Sequence, residues 1–208
     1  NAVGTWLETS ASGLFNAGTG LLDANGLPIG VYAFTYTVAG VAPCLTDVAN
    51  FSITVTNLPN AGADNNTTLC NSPSATFAIS TLLSGADPGG AWSETSVISS
   101  GQFNASTSVL NVGNTAAGTY TFAYTLAPSG PCAGDQAIFT INISQYANAG
   151  LDNSAAVCNA AGSSINLNTL LSGNNGTGVW AETTGSGAFN ATTGLFTSAG
   201  LVAGTYMF

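Results

Sequence analysis

Three glutamates, Glu8, Glu94 and Glu182, each stand two residues after a tryptophan: Trp6, Trp92 and Trp180. Carboxylates at fixed positions are the raw material of glycoside hydrolysis, which needs two acids about 5 to 10 Å apart. The acidic companions that recur with them are Asp47 and Asp135 after a cysteine, and Asp64 and Asp152 further on. A residue written at the same place three times along one chain points to a structural part. No catalytic residue and no enzymatic activity is therefore expected. Asp64 and Asp152, each followed by Asn, could supply oxygens to calcium. They could equally close turns on their own backbone. They are the metal candidates, and no other cofactor is expected.

Composition narrows the chemistry further. The chain has 208 residues, nine of them acidic, with no Lys, Arg or His, for a net charge of −9. Without His or Lys there is no general base tuned to neutral pH and no Schiff-base nucleophile. Without cationic side chains there is nothing to clamp phosphates or release counterions, which argues against nucleic acid as a partner. Side-chain ion pairs are impossible. Yet 45% of the residues are hydrophobic, which is not a disordered composition. No apolar run reaches the roughly 18 to 20 residues of a membrane helix.

The elements that must position these groups are strands. Gly118–Leu126 alternates aromatic or aliphatic with small polar residues, a period of two that reads as a half-buried strand. The same phrase stands at Gly30–Val38 and begins again at Gly204–Phe208. Its tyrosines, Tyr32, Tyr120 and Tyr206, are spaced 88 and 86 residues apart. Other phrases keep the same order in each copy. Trp-x-Glu-Thr is followed by Gly-x-Phe-Asn, then Gly-x-Tyr, then Pro-Cys, then a second alternating strand carrying Phe51, Ile53 and Val55, or Phe139, Ile141 and Ile143. Asn-Ala-Gly-x-Asp-Asn, Cys-Asn and Leu-Leu-Ser-Gly lead back to Trp.

A repeat of about 88 residues indicates tandem domains rather than a solenoid. Many short strands with frequent glycine turns fit an all-β fold, one immunoglobulin-like β-sandwich per repeat. The Gly-x-Tyr entry resembles the tyrosine corner of such sandwiches. Trp6, Trp92, Trp180, Tyr32, Tyr120 and Tyr206 are expected in the cores, although exposed tryptophans could stack on sugar rings. On this reading residues 60–147 are one complete module. Residues 1–59 lack the opening third of a module, and 148–208 lack the closing part. The chain then reads as a window from a longer array, in which neighbouring modules are partners and other copies could pack alongside as a filament.

Cys44, Cys70, Cys132 and Cys158 allow three pairings. Pairing Cys44 with Cys70 and Cys132 with Cys158 would staple neighbouring modules. In tandem sandwiches the loop holding Cys132 faces the module's own N-terminal end, which favours Cys70 with Cys132 and leaves Cys44 and Cys158 to partners outside the segment. Such a bridge would contribute on the order of 4 kcal/mol by chain entropy.

Together the phrases Asn-Ala-Gly-x-Asp-Asn, Leu-Leu-Ser-Gly, Trp-x-Glu-Thr, Ala-Gly-Thr-Tyr-x-Phe and Pro-Cys resemble repeat modules of very long Bacteroidetes cell-surface adhesins, of the SprB-like gliding-motility type. The resemblance implies an extracellular location at the cell surface, type IX secretion, and a stalk or adhesive array with a surface or glycan ligand. The alternative is a carbohydrate-binding or accessory repeat region of a secreted multidomain enzyme.

Overall fold

A computed structural model describes residues 4–208. The chain divides into two compact units, one running to Ser144 and the other from Gln145 to Phe208. Both are built from β-strands and short 3₁₀ turns; among the described residues no helix is long and apolar enough to cross a membrane.

In the first unit the opening repeat contributes β1 (Thr5–Glu8), β2 (Phe15–Asn16), β3 (Leu21–Leu22), β4 (Gly30–Val38) and β5 (Asp47–Val55). The second repeat contributes β6 (Asn65–Cys70), β7 (Phe77–Ala78), β8 (Ala91–Glu94), β9 (Phe103–Asn104), β10 (Val109–Leu110), β11 (Gly118–Leu126) and β12 (Asp135–Ser144). The second unit holds β13 (Ser164–Asn166), β14 (Phe189–Asn190) and β15 (Leu195–Thr197), which form one sheet in the order β13-β15-β14.

Residues 60–144 fold as a two-layer sandwich. One layer runs β6-β12-β11-β8 and the other β7-β10-β9. The core lies between them: Ile79, Leu110 and Val112 from one side meet Phe122, Tyr124, Phe139 and Ile141 from the other. The alternating pattern of β12 becomes literal burial, with Ala137, Phe139, Ile141 and Ile143 inward and Gln136, Asn142 and Ser144 outward. The sheet's register is antiparallel throughout except at one pair. There β6 runs parallel to β12, from Asn65 opposite Phe139 to Cys70 opposite Ser144.

The first repeat shows what β6 contributes. Its sheet has the order β1-β4-β5, so β5 is an edge strand. Phe51 and Ile53 occupy the places of Phe139 and Ile141 in the register with the Tyr strand, yet they are 47% and 45% exposed against 0% for both counterparts. Identical patterning gives a buried strand only where a neighbouring strand and the facing layer cover it. Contacts still hold the two repeats in one unit: Thr56 Oγ1 donates to the Ser129 carbonyl at 3.3 Å and lies 3.5 Å from Cys132 Sγ.

The parallel pairing corrects the expected bridge. All four cysteines are free thiols. Ala61, at the module's entry, does lie by the hairpin, its N–H donating to Asp135 Oδ2 at 2.7 Å. The premise that this loop faces the N-terminal end therefore holds. But β6 then runs the length of β12, carrying Cys70 to the level of Ser144, while Cys132 lies in the turn before Asp135. At about 3.3 Å per residue the two are near opposite ends of the strand, far beyond the roughly 7 Å limit for a disulfide.

Truncation separates the two environments of one sequence position. Phe139→Ala is expected to cost about 3 to 5 kcal/mol, as for a fully enclosed aromatic. Phe51→Ala should cost less than half as much. Hydrogen exchange of the β12 and β5 amides in each variant checks this.

Candidate functional site

The repeated phrases are the candidate site, because they carry nearly all the polar chemistry of the chain. The glutamates come first. Glu94 accepts from the Ser100 N–H at 2.6 Å, from Ser100 Oγ at 3.1 Å and from Ser99 Oγ at 2.9 Å. Glu182 accepts from the Ser186 N–H at 2.6 Å, Ser186 Oγ at 2.9 Å and Thr184 Oγ1 at 3.1 Å. Glu8 is held the same way by Ser12 and Ser10. Each carboxylate thus closes the loop that follows it, Glu8 at the end of β1, Glu94 at the end of β8 and Glu182 outside any strand. Desolvation pushes the Glu8 and Glu182 pKa values upward, but the hydrogen bonds from Ser12 and Ser10, and from Ser186 and Thr184, outweigh it. Both carboxyls are held below the ordinary glutamate range.

The Thr of each phrase bonds the Tyr phrase, which is strand in β4 and β11, whereas the expected third strand at Gly204–Phe208 does not form. Thr9 N–H donates to Ala33 O at 2.9 Å, Thr95 N–H to Thr121 O at 2.8 Å and Thr183 N–H to Met207 O at 2.8 Å. The tryptophans are half-buried against aromatic neighbours. Trp92 lies 5.1 Å from Tyr124 and 5.2 Å from Phe139 between ring centroids, and Trp6 lies 4.8 Å from Tyr36 and 5.3 Å from Phe51. Trp180 instead donates its indole N–H to Asn168 Oδ1 at 2.9 Å. The tyrosines of the three phrases share one bond: Tyr32, Tyr120 and Tyr206 donate to the carbonyls of Pro28, Ala116 and Val202 at 2.9, 3.1 and 2.8 Å. Tyr120 is buried; Tyr32 and Tyr206 are half-buried.

The module entry holds an arrangement that composition alone does not suggest. Asn60 donates through Nδ2 to Gly85 O at 3.1 Å and accepts from Gly62 N–H at 2.9 Å. Asn148 does the same with Gly173 O at 2.9 Å and Gly150 N–H at 3.0 Å. The Asn-Ala-Gly phrase is thereby buckled to the Leu-Leu-Ser-Gly phrase. The glycine is required: Gly62 has φ +84°, and a Cβ there would stand 2.6 Å from Ser84 O. A second link comes from Asn65 and Asn153, whose Nδ2 groups donate to Leu82 O at 3.1 Å and Leu170 O at 3.0 Å. The signal in sequence was the constant separation of 25 residues between Asn60 and Gly85 and between Asn148 and Gly173.

Asp64, one of the two calcium candidates, accepts from the Ile138 N–H at 2.7 Å and so caps the start of the β6–β12 ladder. Asp152 is exposed in the segment leading out of the second clasp. Among the described residues no group of three Asp, Glu, Cys or His converges on a point where a metal could sit. A shallow, largely apolar hollow of about 230 Å³ lies on the first repeat, lined by Trp6, Phe15, Leu22, Phe34, Phe51 and Ile53.

No protein-family model matches this chain, and no curated protein matches it.

Two expectations follow from the clasps and loops. Gly62→Ala should destabilise residues 60–144 by about 2 kcal/mol or more, since both φ and contact oppose it, whereas Gly85→Ala, at φ +70° with open space, should cost about 1 kcal/mol. Thermal melts of the two variants compare them. The lowered Glu8 and Glu182 pKa values mean their loop bonds contribute above the ordinary glutamate range and are lost as pH falls through the lower folded values. An NMR pH titration should show the Ser12 and Ser186 amide signals moving only below that range. Glu8→Gln should abolish the step at Ser12.

Proposed function

We propose that this chain is a non-enzymatic segment of an extracellular surface array, built from immunoglobulin-like modules that act as a stalk with an adhesive role. One observation carries the reading. The residues that could do chemistry recur at the same place in each copy and bond the same local partners there, as Glu8, Glu94 and Glu182 do. Groups consumed identically in holding each loop leave no paired acid and base to act on a substrate.

The immunoglobulin-like reading is supported by the layer orders β6-β12-β11-β8 and β7-β10-β9, and by the tyrosine hydroxyl that bonds a carbonyl four residues back. The likeness to SprB-type adhesin repeats rests on the phrases themselves. The chain's composition suits such a setting: an acidic, Thr- and Asn-rich surface without cations stays hydrated and resists clumping. A sugar-binding reading would need a bare tryptophan face, and Trp92 packs against Tyr124 and Phe139.

Antibodies raised against the chain are expected to label intact, unpermeabilised cells of the organism that makes it. Brief treatment of those cells with an external protease should remove the signal. Labelling that appears only after permeabilisation would overturn the proposal.

A further inference from the structure

In the second unit the side chain of Asn175 fastens the module entry. Asn175 Nδ2 donates to the Tyr146 carbonyl, and Asn175 Oδ1 accepts from the Asn148 N–H at 2.9 Å. The backbone closes the same contact, with the Asn175 N–H donating to Asn148 O at 3.1 Å. The second repeat keeps this fastening with a different residue. There Asp87 Oδ2 accepts from the Asn60 N–H at 2.9 Å, and the Asp87 N–H donates to Asn60 O at 2.8 Å. The two copies differ again one residue later: Asp87 is followed by Pro88, and Asn175 by Gly176. Proline has no N–H to offer. Glycine offers an amide nitrogen unhindered by any side chain, and nothing lies within 4 Å of where a Gly176 Cβ would stand.

We infer that Asn175–Gly176 is a self-modification site, at which the Gly176 nitrogen converts Asn175 to aspartate and isoaspartate, and that the entry fastening both restrains this reaction and is undone by it. The Gly176 nitrogen forms a bond to Asn175 Cγ and gives up its proton. The Cγ–Nδ2 bond breaks, and Nδ2 leaves with that proton as ammonia. Water then opens the cyclic imide. Opening at Cγ leaves aspartate in the chain; opening at the main-chain carbonyl leaves isoaspartate, with Gly176 now joined through Cγ. Water is the only co-reactant, and the product adds one negative charge to the nine already present.

The restraint follows from the bonds. Ring closure swings Cγ onto the next residue's nitrogen and expels Nδ2, so the links to Tyr146 O and the Asn148 N–H must be released first. Those two partners are held in place by the clasp of Asn148 to Gly173 O and Gly150 N–H. The undoing follows from the products. Aspartate keeps an acceptor for the Asn148 N–H, as Asp87 does for Asn60, but sets oxygen against the Tyr146 carbonyl where a donor stood. Isoaspartate routes the main chain through the side chain, so the Asn175 N–H and Oδ1 no longer meet Asn148 together. Either product leaves residues 146–148 without a fastening that can re-form. The second repeat is closed to this route, because Asp87 is already a carboxylate and Pro88 has no N–H. The inference needs no surface ligand and stands apart from the adhesive reading.

The test incubates the full chain in mildly alkaline buffer beside a synthetic peptide of residues 172–178, and follows both by peptide mass mapping with fragmentation that separates aspartate from isoaspartate. Conversion at Asn175 is expected in the chain, about tenfold more slowly than in the peptide, the factor set by the net worth of the bonds released. Asn148→Ala removes the clasp, and Gly150→Ala forces it open, since a Cβ there would stand 2.7 Å from Ser172 O. Each should bring the chain to within about threefold of the peptide rate. Gly176→Ala should slow chain and peptide alike, and Gly176→Pro should stop both. In the converted chain the Asn148 and Asn175 amides should lose exchange protection, while the Leu167 amide, bonded to Gly194 O at 2.8 Å, keeps it. A wild-type rate equal to the peptide's, no acceleration in either clasp variant while Leu167 stays protected, or unchanged Asn148 protection after conversion overturns the inference.

Discussion

Every carboxylate in this protein must find its partner among N–H and O–H groups, because the chain contains no cationic side chain. That constraint shapes each local motif. Glu94 turns to Ser99 and Ser100, Asp64 to the Ile138 amide, Asp135 to the Ala61 amide and Asp87 to the Asn60 amide at 2.9 Å. Short hydroxyl side chains and free backbone donors at turns do the work that Lys and Arg do elsewhere. These bonds are local or join neighbouring segments, so each module can be completed from its own residues. Charge-assisted bonds of this kind are stronger than neutral ones and also fix direction.

With ion pairing absent, stability rests on apolar cover, and β12 shows how steeply cover matters. The strand is buried because β6, β11 and the facing layer surround it. Its counterpart β5, nearly identical in pattern, has β4 on one side but no described strand on the other, and lies open there. Burial is thus a property of the complete two-layer unit, not of the strand. The aromatic arrangement within each repeat is nevertheless reproduced closely. Phe15 and Phe34, Phe103 and Phe122, and Phe189 and Phe208 all sit 4.8 Å apart between ring centroids.

Periodicity made the long strands legible: β11 occupies Gly118–Leu126, the stretch whose alternation is cleanest, and β4 matches its earlier copy. What periodicity does not carry is the direction in which two strands pair. The bridge from Cys70 to Cys132 failed for that reason, since nothing in Asn65–Cys70 announces a parallel neighbour. The clasp from Asn60 to Gly85 escaped notice for another. Asn is common throughout the chain, and only its constant distance from Leu-Leu-Ser-Gly sets Asn60 and Asn148 apart. Recurrence alone pointed the glutamates toward a structural part, but it did not show their loop-closing partners, because serine and threonine are everywhere.

The parallel pairing of β6 with β12 has a mechanical consequence. The chain enters this sandwich beside Asn65 and leaves it at Ser144, and in a parallel pair those two points lie at opposite ends of the ladder. Tension along the chain therefore slides the first strand lengthwise past the last instead of peeling one end. Six facing residue pairs, from Asn65 opposite Phe139 to Cys70 opposite Ser144, bear the load together and must give way almost at once. An antiparallel closing pair would open like a zipper, one rung at a time, under far less pull.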